Sequence, residues 1–191
     1  TPLATGLKTL HTFLVQHPRE VVILLFQDGI EPVDLADAMT QSGLAALRYE
    51  PPYTSKWPTL RALIDSNQRV IVTTESRGPP PAWHRRFWDL GWDTPYAFNG
   101  LDALLIDEGP ADSCRLNRGS TKGSLFLLNH WVSTPIGLSD PAAAPIANSM
   151  QVLLKRAKRC QAKYAHLPNI VAVDHHHEGD VVGVVRALNG L

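Results

Sequence analysis

The chain has 191 residues, 44% of them hydrophobic, with 18 Lys plus Arg against 18 Asp plus Glu. That length can bury one sizeable core but falls short of the about 250 residues of a complete βα-barrel, and a net charge of zero gives no long-range field to gather nucleic acid, so recognition must be local. No apolar run approaches the roughly 20 residues that cross a bilayer, the opening Thr1-Pro2-Leu3-Ala4 lacks the basic head and apolar stretch of a signal peptide, and the only cysteines, Cys114 and Cys160, have no zinc-finger spacing.

Leu7, Leu10 and Leu14 recur at helical spacing until His17-Pro18, where proline disfavours helical geometry in the residue before it. Val21 to Phe26 is a continuous apolar run closed by Gln27-Asp28-Gly29, the pattern of a strand buried on both faces. An amphipathic stretch from Val33 to Met39 follows, then a loop rich in proline and tyrosine, then a short helix carrying Leu60, Leu63 and Ile64. A second buried strand runs from Arg69 to Glu75 and meets the breaker run Gly78-Pro79-Pro80-Pro81. Trp83 to Trp92 is rich in aromatics, Pro95 to Phe98 reads as a short strand, and residues 99–123 read as a long loop. Order returns with the strand Leu125 to Leu128, ending in Asn129-His130-Trp131. Beyond a Pro/Ala-rich connection lies a helix with Met150, Leu153, Leu154 and Ala157 inward and Lys155, Arg156, Lys158 and Arg159 toward water. The strand Ile170 to Val173 ends in Asp174 and three histidines, and Val182, Val185 and Leu188 mark a closing helix.

Strands alternating with helices imply parallel pairing and right-handed crossovers in one α/β domain over residues 1–191. Four clear strands are too few to close a barrel, so the expectation is an incomplete TIM (β/α) barrel whose N-terminal strands are missing, with a small open sheet as the alternative. The chain does not begin with Met and reads as a processed product or, preferably, as a piece of a longer open reading frame.

In parallel α/β folds the active site lies at the carboxyl ends of the strands. Gln27, Asp28, Glu75, Asn129, His130, Asp174 and His175 end the apolar runs and are expected at one mouth, although each taken singly reads more readily as a turn or cap residue. His175-His176-His177 with Glu178 offers metal-ligand chemistry, but consecutive side chains on a short loop rarely converge on one ion. His11, His17, His84 and His166 read as structural or solvated. Neither Gly-x-Ser-x-Gly nor a P-loop occurs, which removes serine hydrolases of that type and P-loop nucleotide hydrolases. Cys114 in a polar loop and Cys160 on a basic helix are compatible with a disulfide in an exported protein and equally with two free thiols.

Several segments fall in a telling order: His17-Pro18-Arg19-Glu20-Val21-Val22-Ile23-Leu24, Trp57-Pro58-Thr59-Leu60 before Arg69-Val70-Ile71-Val72, Cys114 with Arg118-Gly119, Leu127-Leu128-Asn129-His130, and Pro168-Asn169-Ile170-Val171-Ala172-Val173-Asp174 through Gly179-Asp180 and Leu188-Asn189-Gly190. Over nearly the whole chain this order resembles the PLC-like phosphodiesterases, in particular secreted proteins related to bacterial phosphatidylinositol-specific phospholipase C. The resemblance implies a distorted TIM barrel and cleavage of a phosphodiester by two histidines acting as general base and general acid. Those histidines belong to Thr-His-x-Ser and Cys-His-Thr contexts, which this sequence lacks; they are expected upstream, and the fragment alone is expected to be inactive.

The resemblance also implies a catalytic role for Asp174, as the carboxylate that orients the base histidine, and substrate-binding roles for Gln27, Asp28 and Glu75; Asn129 and His130 are expected to bind substrate from their strand-end position. Where relatives carry lysine or arginine near the phosphate this chain has Glu75, and a carboxylate there repels a phosphodiester unless a cation intervenes. Either Ca²⁺ or Mg²⁺ bridges them, held by Asp28 and Glu75, or the substrate differs. The expected partner is a phospholipid headgroup or another phosphodiester, the expected state a monomer, and the expected location extracellular. Trp83, Phe87, Trp88 and Trp92 offer peripheral membrane contact, weighed against the core position that aromatic stripes more often take. The alternatives are a metal-dependent glycerophosphodiester- or sphingomyelin-type phosphodiesterase and a non-catalytic barrel that binds a headgroup or sugar.

Overall fold

The structure is a computed structural model that describes residues 2–27, 29–50 and 57–191. It divides into two compact units, Thr1–Leu90 and Gly91–Leu191.

In the first unit, helix α1 (Leu3–Gln16) buries Leu7 and Leu14 and is followed by strand β1 (Val22–Phe26). Helix α2 (Pro32–Ser42) starts with proline, whose missing N–H is no loss at that position, and stops at Gly43, where a left-handed φ of 84° favours a residue without Cβ. Helix α3 (Leu60–Asp65), capped by the Thr59 hydroxyl, leads to β2 (Val70–Thr74); β3 (Arg85–Arg86) and the short helix α4 (Phe87–Leu90) close the unit. The strands lie in the order β1-β2-β3, all parallel, with Val22 opposite Val70 and Phe26 opposite Thr74. Leu14, Leu35, Met39, Leu44, Val70 and Val72 are among the core residues. Buried Arg69 donates from Nη1 to the carbonyls of Leu14 (3.1 Å), His17 (3.3 Å) and Glu20 (3.3 Å), so a cation meets the carbonyls at and just beyond the C-terminal end of α1.

The second unit contains β4 (Gly91–Asp93), α5 (Leu101–Leu105), β5 (Leu125–His130), α6 (Ala144–Ala147), α7 (Met150–Tyr164), β6 (Ile170–Val173) and α8 (Val181–Leu188). Its strands are again parallel, in the order β4-β5-β6. Trp92 stacks on Phe126 with ring centroids 3.8 Å apart, and Leu128, Leu153, Ala157 and Val184 complete that core with the Cys114–Cys160 disulfide. The segment after Cys114 runs hard against β4: a Cβ on Gly119, whose φ is 80°, would stand 2.1 Å from the Gly91 carbonyl oxygen, so no other residue fits there.

The fold is thus mixed α/β with parallel strands, and among the described residues no barrel closes. The four apolar runs are β1, β2, β5 and β6. Three expectations fail. Pro95 to Phe98 is not a strand; the strand is β4, four residues earlier, where a buried aspartate hides the apolar signal. Residues 99–123 are not all loop, since α5 lies within them. Arg156 does not face water but is 2% exposed. Of the aromatics set aside for membrane contact, Trp83, Phe87 and Trp92 are buried and Trp88 half-buried.

Candidate active site

At the strand ends of the first unit, Gln27 is exposed and follows β1 directly, and the Glu75 amide donates to the Phe26 carbonyl at 3.0 Å. Gln27 and half-buried Glu75 therefore leave neighbouring strands side by side. Asp28, the other residue expected here, lies outside the described residues.

In the second unit β5 continues through Asn129 and His130 instead of ending before them. Both side chains are consumed by internal bonds. The Asn129 amide donates to Asp93 Oδ2 (2.9 Å) and to the Thr94 carbonyl (2.6 Å). Asp93 is fully buried and also accepts from the Arg118 amide (2.8 Å), from the Arg118 guanidinium (3.0 and 2.6 Å) and from Asn117 (3.2 Å). A buried carboxylate persists only when its oxygens are satisfied in this way.

His130 is likewise fully buried. Its Nε2 lies 2.8 Å from the Ala147 carbonyl and must carry the proton; its Nδ1, 3.2 Å from Arg156 Nη1, then accepts. Burial first, and the Arg156 charge second, push its pKa down to about 3 against the opposing pull of the Ala147 carbonyl. Among the described residues Arg156 has no carboxylate in hydrogen-bond contact: it donates to the Ser113 hydroxyl (3.0 Å), the Ser113 carbonyl (2.6 Å), the Asn129 carbonyl (2.8 Å) and His130. Burial and the neighbouring Arg159 charge lower its pKa to about 9, with Asp112 opposing, so it remains a cation at neutral pH. These groups tie β5, α7 and the Ser113 loop together from inside, and neither ring nitrogen of His130 is left for a substrate.

Asp174 follows β6, where Val173 pairs with His130. The Asn148 side chain donates to the Asp174 carbonyl (2.9 Å) and the His175 carbonyl (3.3 Å), and the Asn148 carbonyl accepts from the Asp180 amide (2.9 Å). A Cβ on Gly179, with φ of 78°, would meet the Asn148 backbone at 2.5 Å, so glycine lets the turn close on that asparagine. His175 takes a left-handed φ of 51° and its Nε2 lies 2.9 Å from the Ser139 hydroxyl. The half-buried Asp174 carboxylate itself has no hydrogen-bond or ion-pair partner among the described residues. His176 and His177 are exposed, and His177 approaches Glu178 at 3.7 Å. Among the described residues no group of three or more His, Cys, Asp or Glu is placed to hold a metal ion.

Ser139 connects this turn to an open cleft of about 320 Å³ lined by Tyr96, Asn99, Trp131, Ser133, Thr134 and neighbouring backbone, since Ser139 bridges Ser133 and Ser133 bridges Asn99. The Tyr96 and Trp131 rings lie 6.4 Å apart and nearly parallel, and the Arg118 guanidinium sits 4.7 Å over the Tyr96 ring. Apolar ring faces beside hydroxyl and amide groups suit a polyol or sugar ring, whose C–H face is apolar and whose rim is polar. These residues come from loops with no periodic signal; the sequence marked Arg118-Gly119 and the strand end Asn129-His130-Trp131, and Tyr96 fell in the Pro95 to Phe98 segment read as a strand.

Of the expected site residues, the structure sets Gln27 beside Glu75 in the first unit, and Asp174 close behind Asn129 and His130 in the second, with the last two turned inward. The family model described as PI-PLC X 1 matches residues 1–189. A PI-PLC X domain-containing protein 1 of Arthroderma benhamiae is 30% identical over 99% of this chain and 65% of its own length. A PI-PLC X domain-containing protein of Arabidopsis thaliana is 23% identical over 98% of this chain and 44% of its own length. The chain thus spans 65% and 44% of those relatives. No solved structure matches it. With the family model covering both compact units, the chain belongs to the PI-PLC X domain family.

Proposed function

We propose that this chain is part of a phospholipase C-like phosphodiesterase, contributing a partial βα-barrel domain over residues 1–191 that cleaves the phosphodiester of a phosphatidylinositol-type phospholipid, with the acid and base histidines supplied by residues outside these 191. The observation that carries the reading is the Asp174 carboxylate: half-buried, held by its main chain to Asn148, and without a side-chain partner of its own among the described residues. A carboxylate in that state can accept the N–H of an imidazole, fix its tautomer and stabilise the imidazolium that forms when the ring takes a hydroxyl proton. The second histidine would protonate the leaving oxygen.

The cleft between Tyr96 and Trp131 supports a polyol headgroup as the part of the substrate that is recognised. Gln27, Asp28 and Glu75 are proposed as phosphate-binding residues, with Ca²⁺ or Mg²⁺ offsetting the carboxylate charge. Of those carboxylates the structure describes only Glu75, so the proposed steps route nothing through a metal. An extracellular monomer remains the proposed setting, and the Cys114–Cys160 disulfide supports an oxidising compartment.

The test is turnover of phosphatidylinositol by the complete protein carrying this chain, with and without chelator. Asp174→Asn should lower kcat about 10³- to 10⁴-fold with little change in KM, by analogy with other acid-base sites, and leave folding intact. Unchanged turnover would remove Asp174 from the mechanism, and an inert wild-type protein that still binds a headgroup would replace the enzyme with a binding module.

A further inference from the structure

Both ring nitrogens of His130 are engaged inside the protein, yet its contacts converge on the turn that carries Asp174. Its main chain stands opposite Val173, the residue before Asp174, in the parallel register of β5 and β6. Its Nε2, 2.8 Å from the Ala147 carbonyl, reaches the last residue of α6. The next residue is Asn148, whose amide holds the Asp174 and His175 carbonyls. His130 is fully buried, and Ala147 and Asn148 are each 1% exposed, so these contacts form one internal chain from β5 to Asp174.

Helix α6 has four residues, and a helix that short has no stability of its own. The carbonyls at its end lack intrahelical donors, and a histidine N–H is well suited to meet one of them. The direction of the imidazole proton is set from the other side. A guanidinium has only protons to offer, so the Nδ1 that faces Arg156 accepts and Nε2 donates toward Ala147. Arg156 is in turn held by Ser113 and by the Asn129 carbonyl, and it lies 5.0 Å from the centre of the Phe98 ring. Burial and the Arg156 charge keep the His130 ring neutral at neutral pH, so the donor is constant there. Phe98 and Leu104 also pack with Ala147, but apolar packing is non-directional and gives its carbonyl no partner.

We propose that His130 is a positioning residue for Asp174: ordered by Arg156, its Nε2–H fixes the end of α6 and with it the Asn148 amide that aims the carboxylate. The inference rests on the reading of Asp174 as the partner of a base histidine and gives that carboxylate a support on β5. Among the described residues the Asp174 carbonyl has no second hydrogen bond, so what displaces Asn148 displaces the turn. A misplacement of about 1 Å at such a group costs about 10²-fold in rate.

The experiment compares two variants of the complete protein. His130→Gln keeps a donor toward Ala147 and an acceptor for Arg156, whereas His130→Leu fills the space with neither. Phosphatidylinositol turnover and the NMR signal of the Asn148 side-chain amide are both read. His130→Leu is expected to lower kcat about 10²-fold with KM unchanged, and to shift the Asn148 signal. His130→Gln is expected to retain kcat, its pH profile and that signal. In an Asp174→Asn background His130→Leu should cost nothing further, because it acts through that carboxylate. A folded His130→Leu with wild-type kcat, an unmoved Asn148 signal, or a loss that adds in full to that of Asp174→Asn overturns the proposal and leaves the reading of Asp174 standing. If His130→Leu does not fold, His130→Gln decides: a kcat that falls although both bonds are kept also overturns it. Turnover that ignores Asp174→Asn sinks the reading of Asp174 and this inference with it.

Discussion

The side-chain amide of Asn148 donates to the main-chain carbonyl of Asp174 at 2.9 Å, from a position that is itself only 1% exposed. The same asparagine holds the next carbonyl, that of His175, and takes the Asp180 amide on its own carbonyl. One buried residue thus fixes both ends of the turn that aims the Asp174 carboxylate.

Asn148→Ala should destabilise the protein by about 1–3 kcal/mol, because it strands the Asp174 carbonyl, whereas the His175 carbonyl keeps the Glu178 amide at 2.8 Å. Denaturant unfolding checks the magnitude. In the complete protein the same change should lower kcat while Asn148→Asp, which keeps the size but lacks the donors, fails to restore it. Activity unchanged by either would separate the turn from the chemistry.

The acid limb of stability should be governed by His130. Its folded pKa, about 3, lies below the unfolded value near 6.5, so the unfolded chain binds the extra proton between those limits. Stability is therefore complete above about pH 6.5 and falls as pH drops, by up to about 1.4 kcal/mol per pH unit. His84, whose pKa burial also lowers, contributes with the same sign. Asp112 acts at lower pH: burial pushes its pKa up, but the Lys163 hydrogen bond, the Cys114 amide and the Lys163 and Arg159 charges outweigh that and leave it depressed, so its contribution is lost as pH falls below the ordinary carboxylate range. His130→Gln can still donate to Ala147 and accept from Arg156, yet does not titrate. Urea midpoints from pH 7 to about 4.5 should fall less steeply for this variant than for wild type; parallel slopes would put the proton elsewhere.

What the sequence made legible follows the hydrophobic effect. The runs Val22 to Phe26, Val70 to Thr74, Leu125 to Leu128 and Ile170 to Val173 were each recognisable as parallel strands, and they are buried throughout in β2 and β5 and half-buried throughout in β1 and β6. What was hidden are polar residues that fold inward. Leu153, Arg156, Ala157 and Cys160 form a single buried stripe at i, i+3, i+4 and i+7. The spacing placed Arg156 inside, and only its charge argued for water. Trp92-Asp93 escaped for the same reason, since Asp93 becomes tolerable in a strand only through Arg118 and Asn129, which lie remote in sequence. The strand-end rule likewise marked Asn129 and His130 as mouth residues because their polarity looked like a terminus, whereas Arg156 and Asp93 let β5 run on through them. The pairing of Tyr96 with Trp131 across the cleft was not legible, because it is assembled from two loops that no periodicity connects.

The Cys114–Cys160 bond gives the last test. It joins residues 46 apart in sequence and lies in the core with Trp92, Phe126 and Ala157. Closing a loop of that length in the unfolded chain is worth about 4 kcal/mol in the chain-entropy account. The loop it closes contains β5 and Asn148, while Ser113 beside Cys114 receives Arg156. Cys114→Ala combined with Cys160→Ala should lower the unfolding free energy by about that amount, measured against wild type in denaturant, and wild type under reducing conditions should approach the variant. A double variant as stable as oxidised wild type would mean that the surrounding aromatic core, and not the covalent link, holds this loop in place.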